Sequence, residues 1–280
     1  MPLWQSLRSF TGIYPRHSCC SAYGKLDVLV KLPCSPRPEA LKQQSQLRRV
    51  GFQMKKPVLL MIHGFGGGIW EIEPLKACLE KEGFFCRSFV LPGHNSKGKI
   101  HGAKAADFIA AALREYDLLA SQESSVALVG FSMGGLLGLQ LAALRAPVAL
   151  VLINTPVYIG NAVGLVHWLG DDFKRGRKYH WHRITTSMVK QNLKANWAFW
   201  RLRQATLPLA SKVHLPILIG QSIYDETVDR RSAVWLDRHL FVCPKELHYY
   251  QHSWHKICDS EDLPLLCQDI TVFLNGLMHE

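Results

Sequence analysis

Four short stretches of this chain carry no polar residue at all: Val58–Ile62 (VLLMI), Val126–Gly130 (VALVG), Val148–Ile153 (VALVLI) and Ile217–Gly220 (ILIG). A strand with one face in water alternates polar and apolar residues, so an unbroken apolar run is a strand buried on both faces. Between and around these runs lie segments with helical spacing: Glu71–Glu82, stopped by Gly83, then Lys104–Ala120, Met133–Leu144, Arg230–His239 and a closing Leu263–Leu277. Phe85–Leu91 and Glu246–Tyr250 read as two further strands. Strands that alternate with helices predict an α/β fold, a mainly parallel sheet with helices on both faces. A chain of 280 residues is long enough for one such domain with a single core.

Two regions depart from the alternation. Residues 1–56 are rich in Ser, Pro, Arg and Gln, offer one plausible strand at Leu26–Leu32, and are expected to be a poorly structured or partly ordered extension of a domain spanning 57–280. Their first 26 residues hold Arg and Ser but no acid, weakly like an organelle transit peptide, and they lack the continuous apolar stretch of a secretory signal. Met54, at the head of MKKPVLLMIHGF, is an alternative start. Residues 156–212 show no clear strand and follow a core strand, where a helical cap over a site belongs.

The net charge of +11 is local: residues 1–56 contribute +8 and residues 171–203 contribute +7. No nucleic-acid motif accompanies it, so no nucleic-acid partner is expected. The basic cap segment carries Trp168, Trp181, Trp197 and Trp200 and allows weak contact with an anionic membrane surface. Basic and apolar positions do not separate into faces, so the favoured expectation is tryptophans packed on the core and solvated Lys and Arg. Eight cysteines show no C-x-x-C spacing, and Cys78, Cys86, Cys258 and Cys267 sit in apolar surroundings. Reduced thiols, no metal and a cytoplasmic location are the expectations.

The chemistry gathers around Gly130-Phe131-Ser132-Met133-Gly134. This G-x-S-x-G lies between an apolar strand and a helix, where a serine on a tight turn is presented at the sheet end. The residues two before and two after must be small, and the helix N-terminus behind favours developing negative charge. A serine hydroxyl needs a base. His255 lies in the loop after the last strand, with His252 and His248 nearby. Loops that follow parallel strands share one edge, so His255 can reach Ser132. An acid should orient the histidine; Asp225 follows the Ile217–Gly220 strand, with Glu226 and Asp229 as rivals and Asp229 expected to cap the next helix. After the first strand comes His63-Gly64-Phe65-Gly66-Gly67-Gly68, whose glycines let backbone N–H groups point into the site; the Phe65 and Met133 amides are the natural oxyanion pair. No G-K-[ST] or G-x-G-x-x-G points to a nucleotide.

From about Pro57 to its end the chain resembles the α/β-hydrolase superfamily. HGFGG, GFSMGG, QSIYDETV and the late histidine are similar to bacterial carboxylesterases of the monoacylglycerol-lipase-like group. The resemblance implies an α/β-hydrolase fold with a small helical cap and cofactor-free hydrolysis of short- to medium-chain acyl esters or monoacylglycerol-like lipids. It also implies a triad of Ser132, Asp225 and His255 with oxyanion donors at Phe65 and Met133. Such enzymes often carry Ser-Gly-His, whereas Trp254 precedes the histidine here. Trp254, as a wall of the acyl pocket, and Gly66 are expected substrate contacts. An acyltransferase or thioesterase on the same residues, and a non-catalytic ligand-binding protein that keeps the fold, are the alternatives. The sequence does not set the oligomeric state.

Overall fold

The computed structural model describes residues 55–95, 99–160, 170, 173–174, 193–242 and 244–278. Contacts divide the chain after Leu47, and every described residue belongs to the larger unit, Arg48–Glu280. Six strands form one sheet: β1 (Val58–Ile62), β2 (Cys86–Ser88), β3 (Val126–Phe131), β4 (Ala149–Ile153), β5 (Ile217–Ser222) and β6 (Lys245–Tyr250). Their order is β2-β1-β3-β4-β5-β6, and every neighbouring pair is parallel. The described helices are α1 (Glu73–Lys81), α2 (Ala105–Ala120), α3 (Met133–Leu144), α4 (Leu193–Thr206), α5 (Arg231–His239) and α6 (Leu263–Gly276).

The apolar runs become the central strands because both of their faces are covered. Leu60, Ile62, Leu128, Leu150, Leu152, Ile217 and Ile219 point into one core layer, which α2, α3, α4 and α5 cover. Leu59, Met61, Ala127, Val129, Val151, Ile153 and Leu218 point into the other, under α1 and α6. The period of two thus persists although both faces are apolar. Helix α3 is buried nearly all round, and its one buried polar side chain, Gln140, donates to Thr206 Oγ1 at 3.0 Å.

Three expectations change. Strand β2 is three residues long, since only Cys86–Ser88 pair with Leu59–Met61 at the sheet edge, and the nearby Phe85 and Val90 face solvent. The segment from Glu71 divides: Ile69–Glu71 is a 3-10 turn, and α1 begins only at Glu73, with Pro74 in its first turn. Cys78 of α1 and Cys267 of α6 are joined in a disulfide across 189 residues, so these two are not the free thiols expected; Cys86 and Cys258 are free and buried.

Much of the expected cap, including Trp168 and Trp181, lies outside the described residues, as does the expected strand at Leu26–Leu32. Within α4, Ala195, Ala198 and Leu202 face the core. That spacing turns Trp197 and Trp200 outward, 59% and 43% exposed, where they stack on each other at 4.8 Å instead of packing inside. Arg203 ties α4 to the sheet, donating through both Nε, at 2.7 Å, and an Nη to the Val157 carbonyl beyond β4.

Candidate active site

Ser132 occupies the single residue between β3 and α3, at φ 53° and ψ −119°. This backbone region disfavours a side chain, and such strain concentrates at functional turns. The glycines around it are required by contact. A Cβ on Gly130 would stand 2.4 Å from the Gly134 carbonyl oxygen, and one on Gly135 2.0 Å from Thr155 Oγ1. The turn is anchored by Ser132 N–H donating to the Ile153 carbonyl of β4 at 2.8 Å.

His255, in the loop between β6 and α6, brings Nε2 to 3.0 Å from Ser132 Oγ. On its other side, Nδ1 lies 2.8 Å from Asp225 Oδ2. Asp225 is fully buried, and its other oxygen accepts the Thr227 and Val228 N–H groups, each at 2.8 Å. The acceptor demand at Asp225 assigns the imidazole proton to Nδ1 and leaves Nε2 as acceptor for the serine hydroxyl. Burial alone lowers the His255 pKa. The charge and hydrogen bond of Asp225, with Glu226 and Glu71 adding to them, outweigh burial, and the net shift is upward.

The other candidates are committed elsewhere. Asp229 Oδ1 accepts Arg231 N–H at the start of α5. His248 lies between Glu246 and Asp269, whose hydrogen bonds raise it to about 9; it is therefore a cation near neutrality and no acceptor. The His252 main-chain N–H is held by Asp262, and the residue is exposed.

The glycine-rich loop after β1 is shaped by two neutral histidines. Burial drives His63 down to about 4 and lowers His94 as well. Each can therefore accept a backbone N–H: His63 Nε2 that of Leu91 at 3.0 Å, His94 Nε2 that of Gly66 at 3.2 Å. The Gly66 amide is thus turned to His94, with its φ at 70°. Among the described residues no acceptor takes the Phe65 or the Met133 amide. The Phe65 ring lies 5.0 Å from that of Phe199, which sets α4 against this loop. Trp254 is half-buried beside His255.

Two residues of the arrangement, Asn154 and Glu71, escape a reading of the sequence, and a third, Glu226, takes a different role from the rival acid expected there. Asn154, fully buried at the end of β4, accepts Ser222 N–H and donates to the His255 carbonyl at 2.9 Å. Glu226 Oε2 accepts the His255 N–H at 3.0 Å. Glu71 pairs with Lys256 Nζ at 3.2 Å, and its carboxylate fills the space a Cβ on Gly67 would need. Each lies just past a core strand or the glycine-rich loop. That position is the one available signal for Asn154 and Glu71, whereas Glu226 lies within QSIYDETV beside Asp225. Among the described residues no cluster of His, Cys, Asp or Glu is arranged to hold a metal ion.

A parallel sheet with a serine turn, a histidine and an acid meeting at its carboxyl edge defines the α/β-hydrolase class. The chain belongs to the alpha/beta hydrolase family, whose family model matches residues 59–266. It is 21% identical over 233 residues to a carboxylesterase of Bacillus subtilis (strain 168), across 78% of this chain and 92% of that protein. A soluble variant of monoglyceride lipase from Saccharomyces cerevisiae, solved with a substrate analogue, superposes with a TM-score of 0.65 at 14% identity, over 81% of this chain and 88% of that one. The monoacylglycerol lipase of Paleococcus ferrophilus gives 0.61 at 18% identity, over 80% and 97%.

Proposed function

We propose that this chain is a serine esterase that hydrolyses short- to medium-chain acyl esters through an acyl-enzyme on Ser132. The broader class, a hydrolase of carboxylesterase or lipase type, follows from family membership and the carboxylesterase relative. The observation that carries the finer reading is the continuous line from Ser132 Oγ through His255 to Asp225, with contacts of 3.0 and 2.8 Å.

In this reading Ser132 Oγ attacks the ester carbonyl carbon as its proton passes to His255 Nε2. The carbonyl oxygen becomes an oxyanion facing the Phe65 and Met133 amides at the N-terminus of α3. His255 then protonates the departing alcohol oxygen, leaving the acyl group on Ser132. Water attacks that ester, its proton goes to Nε2, and the acid leaves as serine recovers its proton. Asp225 accepts from Nδ1 throughout and holds the imidazolium. Trp254, beside the histidine, walls the acyl side.

The test is hydrolysis of p-nitrophenyl esters from acetyl to palmitoyl. The expected result is turnover of acetyl to octanoyl esters that falls at palmitoyl. A folded protein inactive on every chain length contradicts the proposal, and faster cleavage of the matching thioesters would move it to a thioesterase. The substrate is a small molecule, with no role for nucleic acid. Among the described residues no helix is long and apolar enough to cross a membrane. A cytoplasmic location rests on the cysteine pattern, and the Cys78–Cys267 bond weighs against it, since such links are rare in reducing compartments.

A further inference from the structure

We propose that Glu226 is a positioning residue for proton transfer at His255, fixing the histidine main chain and lending its charge to the imidazolium. The inference rests on the reading of Ser132, His255 and Asp225 given above. The His255 N–H donates to Glu226 Oε2 at 3.0 Å, and the His255 carbonyl accepts from Asn154 Nδ2 at 2.9 Å. The histidine's main chain is thus held from both sides, by residues at the ends of two different strands. Thr227 Oγ1 donates to Glu226 Oε1 at 3.2 Å and steadies the carboxylate.

One backbone N–H needs an acceptor, but it does not need a charged one. Glu226 adjoins the buried Asp225, and burial together with that neighbouring charge raises its pKa to about 7, while His255 pulls it down, so it carries its full charge above neutrality. Placing two carboxylates together out of water is costly unless a cation rewards it. The groups that face His255 are Ser132 and the Phe131 ring from β3, Asp225 and Glu226 from the loop after β5, and Glu71 from the turn after β1. Lys256, on the histidine's own loop, neutralises Glu71 at 3.2 Å. Among the described residues no Lys or Arg forms an ion pair with Glu226. Its charge is therefore left to the imidazolium that forms when the serine proton moves to Nε2.

The experiment is the pH profile of kcat/KM and kcat for p-nitrophenyl butyrate, with the folded state of each protein checked by circular dichroism. Glu226→Gln keeps an oxygen for the His255 N–H and removes the charge. Losing an anion lowers the pKa of a nearby cation, so the acid limb should move to lower pH by about half to one unit. kcat should fall roughly 3- to 10-fold with KM within about twofold. Glu226→Asp retains the charge while shortening the reach; its limb should stay near the wild-type position although kcat falls. A limb that does not move in Glu226→Gln, or moves as far in Glu226→Asp, overturns the proposal. Wild-type protein without esterase activity would instead defeat the parent reading, so the two failures are distinct.

Discussion

Replacing Ser132 by alanine is expected to lower kcat/KM for p-nitrophenyl butyrate by about 10⁴- to 10⁶-fold, with KM little changed. In the proposed mechanism the loss is large because the serine forms the covalent bond, and no side chain nearby can replace it. Its neighbours remain in place: His255 still bonds Asp225, and on the proposed mechanism binding and the Phe65 and Met133 amides would supply the residual rate over water. Ser132 is 5% exposed and sits on a turn whose anchor to Ile153 is a backbone bond, so the fold should survive. Equal melting temperatures with activity lost is the expected pattern. Activity retained within about tenfold would remove Ser132 from the chemistry.

Gly134→Ala should act on the fold instead. A Cβ at this position would lie 2.0 Å from the Ile62 carbonyl oxygen, 2.7 Å from its carbon and 3.0 Å from the His63 oxygen. All three are backbone atoms of β1 and its exit, so no rotamer change relieves the overlap. Either α3 or β1 must shift within a core where Leu60, Ile62, Leu136 and Leu137 are fully buried. We expect a loss of about 3–5 kcal/mol, a large part of the 5–15 kcal/mol that a domain typically has. Activity should fall further than the folded fraction, because Ile62 leads directly into the glycine-rich loop. The measurement is the urea midpoint, with Gly276→Ala as control, since nothing lies within 4 Å of a Cβ there. A loss below about 1 kcal/mol would show that the helix can step away.

The strands are legible because burial on both faces leaves short apolar runs rich in Val, Ile and Leu, set between helical segments and turn residues. β1, β3, β4 and β5 are those runs. β2 was overextended because edge position, which exposes Phe85 and Val90, is a property of the assembled sheet. The same limit applies to Trp197 and Trp200: which face of α4 meets the core depends on what packs there. Ser132, His255 and Asp225 could be placed at one edge because parallel strands all end there. Asn154 and Glu71 could not be picked out, and Glu226 could be named only as a rival acid, since each works through a contact whose partner is between about 29 and 185 positions away in the chain. The disulfide was hidden for a like reason: spacing cannot reveal that α1 and α6 lie side by side under the same face of the sheet.

The most direct test of the account is covalent capture of the nucleophile. A fluorophosphonate reacts with a serine only where a base activates it and an oxyanion site receives the phosphoryl oxygen, so it needs no knowledge of the natural ester. Treating the native protein with such a probe and mapping the adduct by peptide mass spectrometry should place one label, on Ser132, and Ser132→Ala should take up none. Labelling of another residue, or none on folded wild-type protein, would contradict the claim that Ser132, His255 and Asp225 act as one catalytic unit.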